Sequence, residues 1–551
     1  MPTSSELPTR VEVAPGLDYD TVIIGAGISG LYQLYRLREL GQRVRVFEAG
    51  TGVGGTWYWN RYPGCRFDSE SYSYGYSFNQ ELLDEWTWTE HFAPQPETER
   101  YLNHVADKFD LRRDIQLRSR VKAATWDENQ SAWEITAEDG RRCRARYLVT
   151  AVGPLSAPTL PRLAGVEDFR GEAYHTGLWP KHPVSFAGKR VAVIGTGATG
   201  VQVITEIAKT AGHLTVFQRR PNWCTPLHNR PITEAEMAEI RKDYPALFQR
   251  CRETAACFLH TTDPRGTFEV SPEERQAFWE TLYSSPGFAI WLGNFRDMLI
   301  DREANALFSA FVADKIRRRV KDPRVAELLV PKDHGFGTRR VPQESGYYEV
   351  YNQPNVELVS ILETPIERIT PTGLKTSDRE FAFDIIVFAT GFDAITGSLD
   401  RIDIRGVGGQ SLKERWKRGL ETFMGVMIND FPNLFMVMGP HTALGNIPRS
   451  IEYNVEWIRD LLGYLERRGL RVADARRDAV EEWTAFVKKK GEGLLANEVD
   501  SWMTGVNMNV EGKNVRIIAR YSGTAPEYRE WADRVAADGY RELTLTPLRS
   551  A

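Results

Sequence analysis

Residues 21–30, TVIIGAGISG, decide the fold. A β-branched and apolar run enters a turn with glycine at 25, 27 and 30, and the stretch LYQLYRLRELG at 31–41 spaces its apolar residues for one face of a helix. Strand, turn and helix are expected in that order, and RVRVFEAG at 43–50 supplies the next strand, closing a βαβ unit of about 30 residues. In such a unit Gly25 permits the tight turn, Gly27 lets a pyrophosphate approach the backbone, and Gly30 lets helix and strand pack closely. The helix N-terminus favours the phosphate charge. Glu48, 18 residues after Gly30, is placed to accept ribose hydroxyls. The alternative is a strand-to-helix turn without a ligand.

The same grammar returns at 189–200, KRVAVIGTGATG, followed by VQVITEIAKTAG and then LTVFQRR. Its turn is Gly195, Thr196, Gly197, Ala198, Thr199 and Gly200. Here the second strand ends not in an acid but in Gln218, Arg219 and Arg220. Guanidinium pairs bidentately with phosphate, so this site should prefer the 2′-phosphate of NADPH, unless the two arginines are merely solvated surface charges. Two nucleotide sites in one chain fit FAD supplied with hydride by NADP(H). Disulfide reductases share that arrangement but need a cysteine pair, and Cys65, Cys143, Cys224, Cys251 and Cys257 include no C-x-x-C. Reduced flavin passing its electrons to dioxygen becomes the leading idea.

The chain is long enough for several domains at about 150 residues each. With 42% hydrophobic and 26% charged residues it has the composition of a globular protein rather than a disordered one. A net charge of −4 offers no basic field for nucleic acid or anionic lipid, so no nucleic-acid or membrane partner is expected. Residues 1–20 lack the apolar core of a signal peptide, and no stretch holds about 18 continuous apolar residues, which makes the cytoplasm the default compartment. No metal-ligand spacing joins the nine histidines and there is no P-loop. Between the glycine turns, 115–140 reads as hairpin strands and YLVTAVG at 147–153 as an apolar strand. From about 233 to 330 the pattern is helical, with capping-box starts at Thr233 with Glu236 and Ser271 with Glu274, and N-caps at Asp301 and Asp322. Strand-like runs follow at 356–373 and 381–393, and 449–469 is a strong amphipathic helix.

Two stretches are more specific than the glycine turns. FRGEAYHTGLWP at 169–180 carries Phe169, Gly171, His175, Trp179 and Pro180 in the pattern F-x-G-x-x-x-H-x-x-x-W-P, and GGTWYWNRYPGCRFD at 54–68 carries a second signature. Together with DIIVFATG at 384–391 they resemble the type I Baeyer–Villiger monooxygenases over most of the chain, from about Tyr19 to Arg529. SESYSYGYSF at 69–78 and FQRRPNWCTPL at 217–227 resemble a branch acting on a CoA-linked ketone, a hint about substrate only.

The resemblance implies that NADPH reduces FAD, that dioxygen adds to the reduced flavin, and that the resulting anion attacks a ketone to give an ester or lactone. Such an anion needs nearby positive charge and excluded water. Arg340 in GFGTRRVP aligns with the family's catalytic arginine, and Asp68 with the carboxylate that positions it. FAD would be held by Gly25, Gly27, Gly30, Glu48, Gly55, Thr56, Trp57, Asp68, Tyr74 and Ile447. NADP would be held by the second turn with Gln202, Arg219, Arg220, Arg339, Arg340 and Trp502. Arg339 stands where the family commonly has Lys, and Arg220 where relatives often have Thr; both keep or add positive charge. Asn446 and Ile447 follow GPHTALG where the family lines its flavin and substrate pocket.

The blander readings make His175 a satisfied core histidine rather than a linker or conformational residue, and Trp57, Tyr58, Trp59, Tyr62 and Trp502 packed aromatics. Cys65 has no adjacent base to make it a nucleophile. The fold expected is α/β, with two Rossmann-like dinucleotide-binding domains and a helical insertion in the second. Its parts are FAD domain 1–155, NADP domain 156–230, insertion 231–332, NADP domain 333–390, and FAD domain with the C-terminal region 391–551. The partners expected are a small-molecule ketone and O2, with substrate at the domain junction and the oligomeric state open. The rivals are a monooxygenase acting on nitrogen or sulfur, whose fingerprint typically lacks the Trp-Pro ending, and a non-catalytic nucleotide-binding redox sensor.

Overall fold

The computed structural model describes residues 16–547. The N-terminal stretch read above for a signal sequence lies, through residue 15, outside the described residues. β1 (Tyr19–Ile24) pairs in parallel with β2 (Val44–Phe47) on one side and, on the other, with β6 (Arg142–Thr150), Ile24 facing Thr150. β3 (Ile115–Gln116) extends the sheet beyond β2. β4 (Val121–Asp127) and β5 (Ala132–Ala137) form the expected hairpin, and β5 joins β6 in antiparallel pairing. Val22 and Ile23 are fully buried, as a central parallel strand covered on both faces requires.

A second sheet starts with β7 (Glu172–His175), β8 (Arg190–Ile194) and β9 (His213–Gln218). β10 (Thr225–Pro226) and β11 (Gln343–Glu344) pair across the ends of a long helical segment. Then β12 (Val356–Ser360) joins β9; β13 (Ile366–Thr370), β14 (Gly373–Thr376) and β15 (Glu380–Ala382) make a small antiparallel sheet; and β16 (Ile385–Phe388) enters between β8 and β7. The second sheet runs β12-β9-β8-β16-β7, parallel throughout. The chain then returns to the first sheet, adding β17 (Asp403–Arg405) to β4 and β18 (Leu434–Met436) to β6. β19 (Val472–Ala475) and β20 (Leu543–Thr546) pair antiparallel near the end.

Helix Ile28–Glu39 buries Leu31, Leu34 and Leu37, and packs against helix Ile447–Arg467, whose buried Ile451, Val455, Ile458, Leu462 and Leu465 hold helical spacing. The helical segment contains Glu234–Glu253, Pro272–Ser284, Arg302–Arg319 and Pro323–Leu329. Both expected capping boxes form, and Asp301 and Asp322 cap the last two helices. Although the segment leaves from the second sheet, Glu234–Glu253 packs on the short helix Ser71–Tyr74 and on Ala525–Ala537, so it spans towards the first. The two chain crossings between the sheets lie side by side: Thr159 N donates to Gly391 O at 3.0 Å and Asp393 N to Ala157 O at 2.7 Å. Among the described residues no helix is long and apolar enough to cross a membrane, and all five cysteines are buried and free.

Candidate functional site

At the first glycine turn, Gly25 has φ +104°, and a Cβ there would lie 2.6 Å from the O of Ala151, just past the end of β6, so only glycine fits there. The turn opens into a cavity of about 580 Å³ lined by Gly25, Gly27, Glu48, Gly55, Thr56 and Trp57, within the range of small-molecule sites. Tyr74 and Ile447 also line it, and Trp57 Nε1 donates to the Tyr74 hydroxyl at 3.1 Å. Glu48 is buried and accepts from Ala26 N at 2.8 Å and Gly50 N at 2.6 Å; burial pushes its pKa up against those bonds. It therefore fixes the turn while facing the cavity. Asn446, expected beside Ile447, does not line the cavity: its amide donates to Ser73 Oγ at 3.0 Å.

The second turn repeats the geometry, with Gly195 at φ +109° and a would-be Cβ 2.5 Å from the O of Ala389, just past the end of β16. At Gly197 a Cβ would meet nothing within 4 Å, so the backbone N–H groups at the start of helix Ala198–Ile207 are open to an incoming phosphate. Thr196 Oγ1 donates to Arg220 O at 3.2 Å, and the hydroxyls of Thr199 and Thr176 lie 3.1 Å apart. Gly200 faces the backbone of Gly195 too closely for any side chain. Gln202 does not face outward: its amide accepts from the Tyr62 hydroxyl at 2.7 Å and donates to Arg66 O at 3.0 Å, tying this helix to the 54–68 signature.

Three guanidiniums lie near that turn. Arg219 is exposed and pairs with no described carboxylate, whereas Arg220 and Arg339 share Asp333, at 3.5 and 3.3 Å. His334, whose side chain is fully buried, lies 2.8 Å from the other Asp333 oxygen. That hydrogen bond, aided by the guanidiniums, holds the Asp333 carboxyl down at about 2. Asp333 was not singled out from the sequence, because a lone carboxylate in PKDHG carries no pattern; only the tertiary pairing gives it a place.

Where the two sheets meet, Arg340 Nη1 donates to Asp68 Oδ2 at 2.7 Å and to Val341 O at 2.6 Å. Asp68 is buried, its second oxygen has no partner among the described residues, and the guanidinium lies 5.1 Å from the centre of the Phe288 ring. Phe67 stacks on Tyr74 at 4.2 Å and meets Trp57 edge-on at 5.5 Å, so an aromatic wall joins the Asp68 segment to the cavity. Phe288, from the helical segment, had no sequence signal. Cys65, inside the signature, is buried and its thiol is pushed up to about 12 by that burial, which leaves it no nucleophile.

The fingerprint residues act at the crossings. His175 Nδ1 accepts from Gly177 N at 2.9 Å, which leaves Nε2–H to donate to Thr159 O at 3.2 Å. Burial lowers its pKa, and both ring nitrogens are used on the backbone at the crossing, so it has no free position for acid–base work. Phe169 packs on the core of the second sheet; at Gly171 a Cβ would strike Asp384 O at 2.7 Å. Trp179 is buried against Tyr174 at 5.3 Å, followed by half-buried Pro180. Trp502 packs against the first sheet's outer cluster. The loop that follows it covers the crossing, Asn507 donating to Phe392 O at 2.8 Å.

Residues 19–230 match a family described as flavin-binding monooxygenase-like. A 2-oxo-Δ3-4,5,5-trimethylcyclopentenylacetyl-CoA monooxygenase of Pseudomonas putida is 44% identical over 534 residues, covering 96% of this chain and 98% of that protein. A phenazine N-monooxygenase of Lysobacter antibioticus is 42% identical, covering 96% and 97%, and a Baeyer–Villiger monooxygenase of Pseudooceanicola batsensis is 39% identical, covering 96% of each. A crystal structure of OTEMO in complex with FAD and NADP superposes with a TM-score of 0.93 at 44% identity, covering 96% of this chain and 100% of that one.

Proposed function

Since the chain belongs to the Baeyer–Villiger monooxygenases, within the flavin-binding monooxygenase-like family, we propose that it oxygenates a small ketone to the ester or lactone with NADPH, FAD and O2. The observation that carries this reading is the Arg340–Asp68 ion pair at 2.7 Å, set where the two dinucleotide-binding sheets meet. Ketone, O2, NADPH and H+ give ester or lactone, NADP+ and water. When bound, FAD and NADPH supply the two electrons and the centre that activates dioxygen.

The rest falls to the chain. The Arg340 guanidinium presents several donors, so it can stabilise negative charge developing on the carbonyl oxygen. Asp68 positions it by a charge-assisted bond; Nη1 also donates to Val341 O, while Nε and Nη2 make no hydrogen bond with a described residue. Gly25, Gly27, Glu48, Gly55, Thr56, Trp57, Tyr74 and Ile447 fit FAD, since they line a cavity whose turn excludes every residue but glycine. The open turn at Gly197 with Arg219, Arg220 and Arg339 fits the phosphates of NADPH. Trp57, Phe67 and Tyr74 shield the Asp68 side from water.

The test is NADPH and oxygen consumption by the FAD-loaded protein with cyclic, linear and aryl ketones, products being identified by mass. A product one oxygen heavier than its ketone, and an ester or lactone, is expected; NADPH consumption that yields only hydrogen peroxide across the panel counts against it. The relative named for N-oxygenation supports a second reading, oxygenation at nitrogen, which conversion of an aromatic N-heterocycle but of no ketone would favour.

A further inference from the structure

The turn that precedes Arg340 is held by side chains of the helical segment. Residues 335–338 close on themselves, Thr338 Oγ1 donating to Gly335 O at 2.8 Å, with Gly337 at φ +75°. Phe336, fully buried, gives both backbone groups to helix Arg302–Arg319: its N–H donates to Ser309 Oγ at 2.9 Å, and its carbonyl accepts from Asn305 Nδ2 at 2.9 Å. Asn305 Nδ2 also donates to Met298 O at 2.8 Å, and Asn305 Oδ1 accepts from the Ser309 hydroxyl at 3.3 Å. Both amide hydrogens of Asn305 and its oxygen are therefore used, on a side chain that is buried. A buried polar ring whose members are all satisfied is rigid and leaves the amide one orientation.

Two glycines let the turn come this close. A Cβ on Gly335 would strike Asn305 Oδ1, and one on Gly337 would lie 2.7 Å from Trp291 Nε1 and 2.9 Å from Leu299 Cδ2. Trp291 meets Phe288 edge-on at 5.8 Å, and Phe288 is the ring 5.1 Å from the Arg340 guanidinium. The chain on either side of the turn is tied to the residues after Arg219 and Arg220, Trp223 Nε1 donating to His334 O at 3.0 Å and Asn222 Nδ2 to Arg340 O at 2.9 Å. The helical segment thus grips the backbone four residues before Arg340 and supplies the ring that its guanidinium faces.

We propose that Asn305 is a positioning residue for Arg340, acting through the Phe336 backbone and touching neither substrate nor cofactor. Asp68 fixes the end of the Arg340 side chain, but a bond at the tip aims a guanidinium only when the backbone that carries it is also fixed. Asn305→Asp keeps the size of the side chain and sets an oxygen where Phe336 O and Met298 O need a hydrogen, so it opens the clamp without emptying its space. Ser309→Ala removes the bonds to Phe336 N and Asn305 Oδ1 and leaves both Asn305 donors in place. The inference rests on the reading of Arg340 given above.

The experiment uses FAD-loaded parent, Asn305→Asp, Ser309→Ala, Arg340→Ala and the Asn305→Asp/Arg340→Ala pair. It measures amide hydrogen exchange over 333–341 and over 310–319, the rate of flavin reduction by NADPH, and ester formed per NADPH from the ketone that the parent converts best. Exchange over 333–341 should quicken about tenfold in Asn305→Asp and less in Ser309→Ala, with 310–319 unchanged. Ester per NADPH should fall about ten- to hundredfold in Asn305→Asp with flavin reduction unchanged. On the Arg340→Ala background the same substitution should cost nothing further, because the two residues act as one unit. Unchanged exchange over 333–341 in both single variants, or an equal fold-loss of ester on both backgrounds, overturns the assignment. So does exchange that quickens equally over 310–319 in both, which would make Asn305 and Ser309 general supports of the helix. A parent that forms ester beside an Asn305→Asp variant that forms as much sinks the clamp and leaves ketone oxygenation standing. Exchange that changes as expected in a protein that forms no ester leaves the clamp standing and sinks ketone oxygenation.

Discussion

Arg340 reaches its place only because Asp68, from the far side of the interface between the sheets, accepts one of its N–H groups at 2.7 Å. A single preorganised donor to developing negative charge is worth about 10²- to 10³-fold in rate. Arg340→Ala should therefore bind FAD and accept hydride from NADPH while ester formation falls by at least about a hundredfold; ester yield per NADPH near that of the parent would remove Arg340 from catalysis. Arg219 differs from its neighbours, since Arg220 and Arg339 are partly neutralised by Asp333 and Arg219 is not. A lost charged hydrogen bond costs about 1.5–3 kcal/mol, so Arg219→Ala should raise KM for NADPH by about ten- to hundredfold and that for NADH far less. Equal effects on both nucleotides would place Arg219 outside the 2′-phosphate site.

At the scale of the element, the two glycines of the second turn separate folding from binding. Gly195 has φ +109° and no room for a Cβ beside Ala389 O, whereas Gly197 has open space around it. Gly195→Ala should cost about 1–3 kcal/mol of backbone strain and weaken NADPH binding together with thermal stability. Gly197→Ala should leave the unfolding temperature unchanged and raise KM for NADPH alone, because its methyl projects where phosphate would approach. FAD absorbance should persist in both variants, since the first turn is untouched. Destabilisation by Gly197→Ala as large as that by Gly195→Ala would contradict the difference in packing.

For the molecule as a whole, one buried and one half-buried group set opposing pH slopes. His441, whose Nε2 lies 2.9 Å from Ile518 O, has its pKa pushed down to about 4 by burial. A histidine kept neutral by folding is protonated first in the unfolded chain, so its share of stability is lost as pH falls from about 6.5 towards 4. Asp474 on β19 is pushed up to about 7 by burial, with Asp430 beside it adding to the effect. A carboxyl kept protonated by folding ionises first in the unfolded chain, so its share is lost as pH rises from 3.8 to about 7. Asp474→Asn should therefore unfold at a higher temperature than the parent at about pH 8, the gap closing towards about pH 4. An equal gap at both pH values would mean that the ionisation of Asp474 does not limit stability.

Much of this was legible in the chain itself. The order of elements, both glycine turns, the hairpin between them, the capped helices of the insertion and the long amphipathic helix all follow from local periodicity and turn chemistry, which act between residues close in sequence. Gly25 and Gly195 were readable for the same reason, because a positive φ is a local demand. Arg340 and Asp68 were identified through motif likeness, not physics, since 272 positions separate them and no periodicity links them. What only the tertiary structure decided lies between distant segments: β17 and β18 joining the first sheet, Asp333 gathering Arg220 and Arg339, Gln202 turned inward to Tyr62, His175 spent on the crossing, and Phe288 set against Arg340. Short strands and lone charged or aromatic residues carry too little local preference to announce a partner; packing supplies it.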